Sequence, residues 1–89
     1  MPWVEVETSN GHTALIDRED WETLRPVLAA GVRLQSLRSR DTVRVVLRSY
    51  DPPQTVSLIR ALFGPHALFK DGGPLDHRRS NMREAPQTG

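Results

Sequence analysis

The sequence predicts a single α+β domain of small antiparallel strands with two or three short helices. Three observations carry that reading. Eighty-nine residues make one domain with one modest core. Apolar and polar residues alternate along several short segments, the period-two signature of a half-buried strand. Helical spacing appears only in short runs, each closed by Pro or Gly.

The elements follow in order. Trp3-Val4-Glu5-Val6-Glu7-Thr8 alternates and reads as a strand. Asn10-Gly11 favours a tight hairpin turn, and Thr13-Ala14-Leu15-Ile16 is the returning strand. Asp17 stands at an N-cap position, with Glu19 and Asp20 facing the positive end of the helix that follows. Trp21, Leu24 and Leu28 fall on one helical face, and Pro26 predicts a stop or kink near Arg25. Trp3 and Trp21 are the expected core anchors. Gly31 marks a break.

Val32–Gln35 and Val43–Arg48 read as two strands joined at Ser39-Arg40-Asp41. In the second strand Arg44 and Arg48 share a face with Val46, while Val43, Val45 and Leu47 point the other way. Tyr50–Gln54 reads as a turn. From Thr55 to Phe63 the residues allow one continuous helix, or a short strand Thr55-Val56-Ser57 with a helix from Leu58; Gly64-Pro65 closes either. Ala67-Leu68-Phe69 is a brief strand, Asp71–Pro74 a turn, and Asp76 caps an expected short helix from His77 to about Met82. Residues 1–85 form the domain, and 86–89 are expected to be a flexible tail.

Cysteine is absent, which excludes a disulfide framework, a thiolate metal site and a cysteine nucleophile. A cysteine-free chain without a recognisable leader or membrane-length apolar run is expected in the cytoplasm, away from membranes. The three histidines, His12, His66 and His77, match no zinc spacing, and no cofactor or metal is expected. Net charge is +1, but unevenly placed: residues 1–30 sum to −4 and residues 31–89 to +5. Eleven of the twelve basic residues are Arg, which suits bidentate phosphate recognition and equally suits a GC-rich genome.

The segment Gly72–Arg83, reading Gly-Gly-Pro-Leu-Asp-His-Arg-Arg-Ser-Asn-Met-Arg, resembles the phage-encoded His-Asn-His (HNH) homing endonucleases. Ala14-Leu15-Ile16-Asp17-Arg18-Glu19-Asp20-Trp21 and Leu58-Ile59-Arg60-Ala61-Leu62-Phe63-Gly64 are similar to two upstream motifs of that family, in the same order. The resemblance implies a ββα-type HNH domain and favours the short strand at Thr55–Ser57.

It also implies lost chemistry. The positions of the family's metal-binding Asp and general-base His fall on Leu68 and Phe69. The earlier family His falls on Ile59, and an Asn becomes His77. Asn81 keeps an orienting Asn, while the second metal-binding Asn would fall just past Gly89. Leu and Phe neither ligate a hard cation nor accept a proton. Leu68, Phe69, His77 and Asn81 are therefore read as a vestigial site, and the chain as a degenerate, C-terminally truncated HNH domain without nuclease activity. A relocated site using His66 or His77 stays open. Two partner classes stay open as well. One is DNA, held by Arg33, Arg44, Arg48, Arg78, Arg79 and Arg83. The other is a host protein that the domain binds and inhibits.

Overall fold

In the computed structural model, which describes residues 2–70 and 73–84, the alternating start of the chain becomes β1 (Trp3–Glu7), paired antiparallel with β2 (Thr13–Asp17). Gly11 takes φ +88° in the turn between them, a left-handed backbone that glycine adopts without a Cβ clash. Helix α1 (Arg18–Ala29) follows directly. Then come β3 (Arg33–Ser39), β4 (Thr42–Tyr50) and β5 (Pro53–Ser57), which form an antiparallel meander. Helix α2 (Leu58–Phe63) leads into β6 (Ala67–Phe69), β7 (Asp76–His77), a 3₁₀ turn over Arg79–Asn81, and β8 (Met82–Glu84).

The strands make three small sheets, ordered β1-β2-β7, β3-β4-β5 and β6-β8. The mixed α+β class is the one the sequence predicts, and α2 does begin at Leu58 after a short strand. β7 departs from the antiparallel expectation by pairing parallel to β2. Ala14 and Ile16 from β2, Leu24 from α1, Leu34 from β3, Val45 from β4 and Leu58 from α2 are buried together. The sheets and helices thus share one core. Full burial of a residue such as Ile16 or Leu58 contributes about 1.5–3 kcal/mol.

A polar strap joins the β1–β2 turn to β3. Ser9 N–H donates to the Leu34 carbonyl at 2.9 Å, and Ser36 N–H donates to Asn10 Oδ1 at 3.2 Å. Ser36 Oγ also lies 3.0 Å from Thr8 Oγ1 and 2.7 Å from His12 Nδ1. The strap covers an outer strand edge that would otherwise expose its ladder groups, and it satisfies the buried hydroxyls of Thr8 and Ser36.

Four expectations are corrected. Pro26 does not stop the helix at Arg25; α1 continues to Ala29. Pro26 and Glu22 both lie on the exposed side, where water can take up the carbonyl bond that proline leaves unmade. Asp17 holds the N-cap position, but its side chain makes no cap hydrogen bond. Trp21 packs against the core but stays half-buried, as does Trp3 outside it; the fully buried anchors are Ile16, Leu58, His77 and Val46. The expected helix from His77 to Met82 is instead a strand residue, a single 3₁₀ turn and the start of β8. Two bonds draw the segment away from the helix. The Asp76 carboxylate accepts the Arg78 N–H at 3.1 Å, and Leu15 N–H donates to the Leu75 carbonyl at 2.9 Å, drawing β7 alongside β2. The expected turn at 71–74 lies partly, and the tail 86–89 wholly, outside the described residues.

Candidate nucleic-acid interface

The β3–β4 turn is two residues long, Arg40 and Asp41, with Arg40 at φ +53°. It sets the register Arg33↔Arg48, Gln35↔Val46 and Leu37↔Arg44. β5 continues the same face with Thr55 opposite Arg48 and Ser57 opposite Val46. Side chains two apart in a strand share a face, so one face of this sheet presents Arg33, Gln35, Leu37, Arg44, Arg48, Tyr50, Thr55 and Ser57. Val46 lies beneath them, fully buried, and its neighbour Val45 is buried on the core side.

The Tyr50 ring is half exposed at the end of β4. The guanidinium carbons of Arg48 and Arg33 stand 5.3 and 5.9 Å from its centroid, within cation–π range. Gln35 Nε2 donates to Tyr50 Oη at 3.0 Å, and Arg44 Nη2 donates to Ser57 Oγ at 2.8 Å. This face carries no Asp or Glu, and no carboxylate pairs with Arg33, Arg44 or Arg48 among the described residues. Three of the six arginines read from the sequence are therefore brought together with their charge facing outward.

The other three are placed differently. Arg78 forks onto its neighbour Asp76, Nε to Oδ1 at 2.9 Å and Nη2 to Oδ2 at 2.8 Å, and lies 5.4 Å from the Trp3 ring centroid. The Arg78 hydrogen bond holds the Asp76 carboxyl below its ordinary range. Arg79 forks onto the buried Asp20 of α1, at 2.7 and 3.1 Å, and its N–H donates to Asp17 Oδ2 at 2.8 Å. Arg83 is exposed on β8, opposite Leu68. Sequence reasoning missed Tyr50, Gln35 and Leu37 as members of the exposed face. Continuing the period-two pattern of β4 through Tyr50 would have found the first, and counting back from the two-residue turn the others.

Of the four positions that the resemblance reads as a vestigial site, three converge. Phe69 and His77 meet edge to face, with ring centroids 5.1 Å apart. Asn81 is buried, and its Nδ2 donates to the Asp76 carbonyl at 3.1 Å while its own carbonyl accepts the Lys70 N–H at 2.7 Å. Leu68 is exposed on the opposite side of β6 from Phe69. His77 is not at a solvated helix start: it is 1% exposed, and Nδ1 has no hydrogen-bond partner among the described residues. Burial pushes its pKa down from 6.5 to about 4, against weaker opposing pulls from the Leu75 carbonyl and Asp76. It lines a half-open cleft of about 280 Å³ with Val43, Arg44, Ile59, Phe69 and Pro74. His66 is exposed.

Among the described residues, no group of three His, Asp or Glu side chains is placed to hold a metal. Leu68 and Phe69, which the resemblance aligns with a metal ligand and a base, carry side chains that hold no divalent ion. No helix among the described residues is long and apolar enough to cross a membrane. No known protein family, curated protein or solved structure matches the chain.

Proposed function

We propose that this chain is a non-catalytic nucleic-acid-binding domain, a degenerate relative of the HNH nucleases, and that its contact surface is the exposed face of β3–β5. The observation that carries the reading is the acid-free face on which Arg33 and Arg48 flank Tyr50 and Arg44 stands further along β4, none of the three paired with a carboxylate among the described residues. Arg33 sits directly opposite Arg48 in the register, and like charges across a ladder destabilise a sheet. A face shaped for stability alone would place an acid at one of the two positions. Guanidinium forks suit phosphate oxygens, and such contacts supply affinity that does not depend on sequence. Arg78 and Arg79 are assigned to the fold instead, because carboxylates already occupy their forks.

Replacing Arg33, Arg44 and Arg48 by Gln together tests this in a salt titration of oligonucleotide binding. Three lost phosphate contacts should make the log–log slope shallower by about two to three. An unchanged slope, or a wild-type protein that binds no oligonucleotide at low salt, overturns the reading and leaves protein binding as its rival. The non-catalytic half has its own check, since no nicking of plasmid DNA is expected with magnesium or manganese. Nicking that a chelator abolishes would overturn that half.

A further inference from the structure

We propose that the β3–β5 face takes single-stranded nucleic acid in preference to duplex, with an unpaired base stacked on Tyr50, the adjacent phosphates on Arg33 and Arg48, and a phosphate a few nucleotides along the strand on Arg44. This rests on the reading of that face as a nucleic-acid surface and names the form of ligand that fits it.

Shape is the first argument. A duplex offers base edges in its grooves and hides base faces in its stack, and a groove admits a protruding helix or a two-stranded ribbon. Arg33, Arg48 and Tyr50 lie at the end of the β3–β4 hairpin away from its Arg40-Asp41 tip. There β5 widens the ribbon to three strands. A broad, shallow sheet face cannot enter a groove, but it can support a strand laid across it.

Chemistry is the second. Tyr50 is 51% exposed and Leu37 37% exposed, so two of the large apolar side chains left in water among the described residues sit among these arginines. A duplex backbone has nothing apolar to meet them. An unpaired base does, and aromatic side chains and guanidinium planes are the groups on which such bases stack. Arg33 and Arg48 already lie against the Tyr50 ring. A base arriving at the ring either extends that stack or displaces one guanidinium toward the neighbouring phosphate. From Tyr50 to Arg44 is six residues of strand, roughly 20 Å, room for a few nucleotides.

The test compares a dye-labelled twelve-nucleotide oligodeoxythymidylate, its duplex with oligodeoxyadenylate, and the matching oligouridylate, all at one salt concentration by fluorescence anisotropy. Single strands should bind at least tenfold more tightly than the duplex. Tyr50→Ala should weaken single-strand binding by about 5- to 100-fold and change duplex binding less than twofold. Tyr50→Phe keeps the ring, loses the Gln35 bond, and should keep most of the affinity. Tighter binding of the uridylate supports the inference with RNA as the source of the strand. Duplex binding equal to or stronger than single-strand binding overturns it while leaving the nucleic-acid reading in place. So does a Tyr50→Phe loss as large as that of Tyr50→Ala with an unchanged melting temperature. No binding to any of the three probes overturns both.

Discussion

Two groups of arginines in this chain look alike in sequence and do opposite things in the fold. Arg33, Arg44 and Arg48 on the β3–β4 hairpin leave their charge in solvent, held only by an aromatic ring and a hydroxyl. Arg78 and Arg79 pair theirs with Asp76 and Asp20, and the peptide between β7 and the 3₁₀ turn is pinned by Asp17 as well. The difference lies in where acids end up after folding. The first thirty residues carry the acidic excess, and the fold returns the C-terminal segment to them across 59 positions of sequence. The hairpin meets no such acids. An arginine count therefore cannot find a binding surface; the carboxylates left within reach of each guanidinium decide it.

If the C-terminal segment is structural, acid should break it first, through His77. Its folded pKa of about 4 lies below its ordinary 6.5, so the unfolded chain takes up a proton before the folded one does. The stabilisation of the neutral ring is complete above about pH 6.5 and is lost as pH falls toward 4. At 1.36 kcal/mol per pH unit, the loss between pH 7 and 4 is about 3 kcal/mol. Asp76, held low by Arg78, adds its own loss only below its ordinary 3.8. Denaturant midpoints measured at half-unit pH intervals should show this slope, and His77→Leu should remove it above pH 4.5. A wild-type curve flat from pH 7 to 4.5 would place His77 in water and undo the buried arrangement. Nucleic-acid binding through the hairpin face, which carries no histidine and no carboxylate, should keep its affinity from pH 7 to 6.

The next effect is smaller and local. Asp20→Ala removes the acceptor of the Arg79 fork and should destabilise the domain by about 1–2 kcal/mol, below the cost of a buried pair because Arg79 stays largely solvated. Thermal melting of the variant, with and without Arg79→Ala, gives the coupling between the two. Additive losses would mean that the fork contributes nothing, and the contrast between the two arginine groups would fail.

How much of this was legible follows from the range of each interaction. Local signals carry the first hairpin, the end of α2 and the brief strand at Ala67–Phe69, because alternation, Asn-Gly and Gly-Pro act within a few residues, whereas they leave the start of α2 open. The sheet face is half legible: alternation places Arg44, Val46 and Arg48 on one side, yet Asp51-Pro52-Pro53 after Tyr50 reads that residue into a turn. The C-terminal segment was misread wherever a distant partner decided. Asp76, Arg78 and Arg79 read as a capped helix only while Asp17, Asp20 and β2 are out of view. Their spacing in sequence gives no sign that His77 is buried against Phe69 or that Asn81 caps the Asp76 carbonyl. Of the four positions that the resemblance groups, Phe69, His77 and Asn81 lie together around β7, while Leu68 is turned away.

The smallest stability effect is the sharpest test of the comparison. Changing Arg33, Arg44 and Arg48 to Gln removes two ring contacts and one exposed hydrogen bond, each weak in water. It also relieves the Arg33–Arg48 repulsion across the ladder. The gains and losses are of similar size, so the net change should stay within about 1 kcal/mol of zero, read as a melting-temperature shift of a few degrees. Lowering the salt should shift the balance further toward the variant, because repulsion between exposed charges grows as screening weakens. A group of arginines selected for the fold would behave the other way, with the variant clearly less stable and most so at low salt. A triple variant as stable as the wild type that no longer binds nucleic acid would show that this charge serves a partner and not the fold.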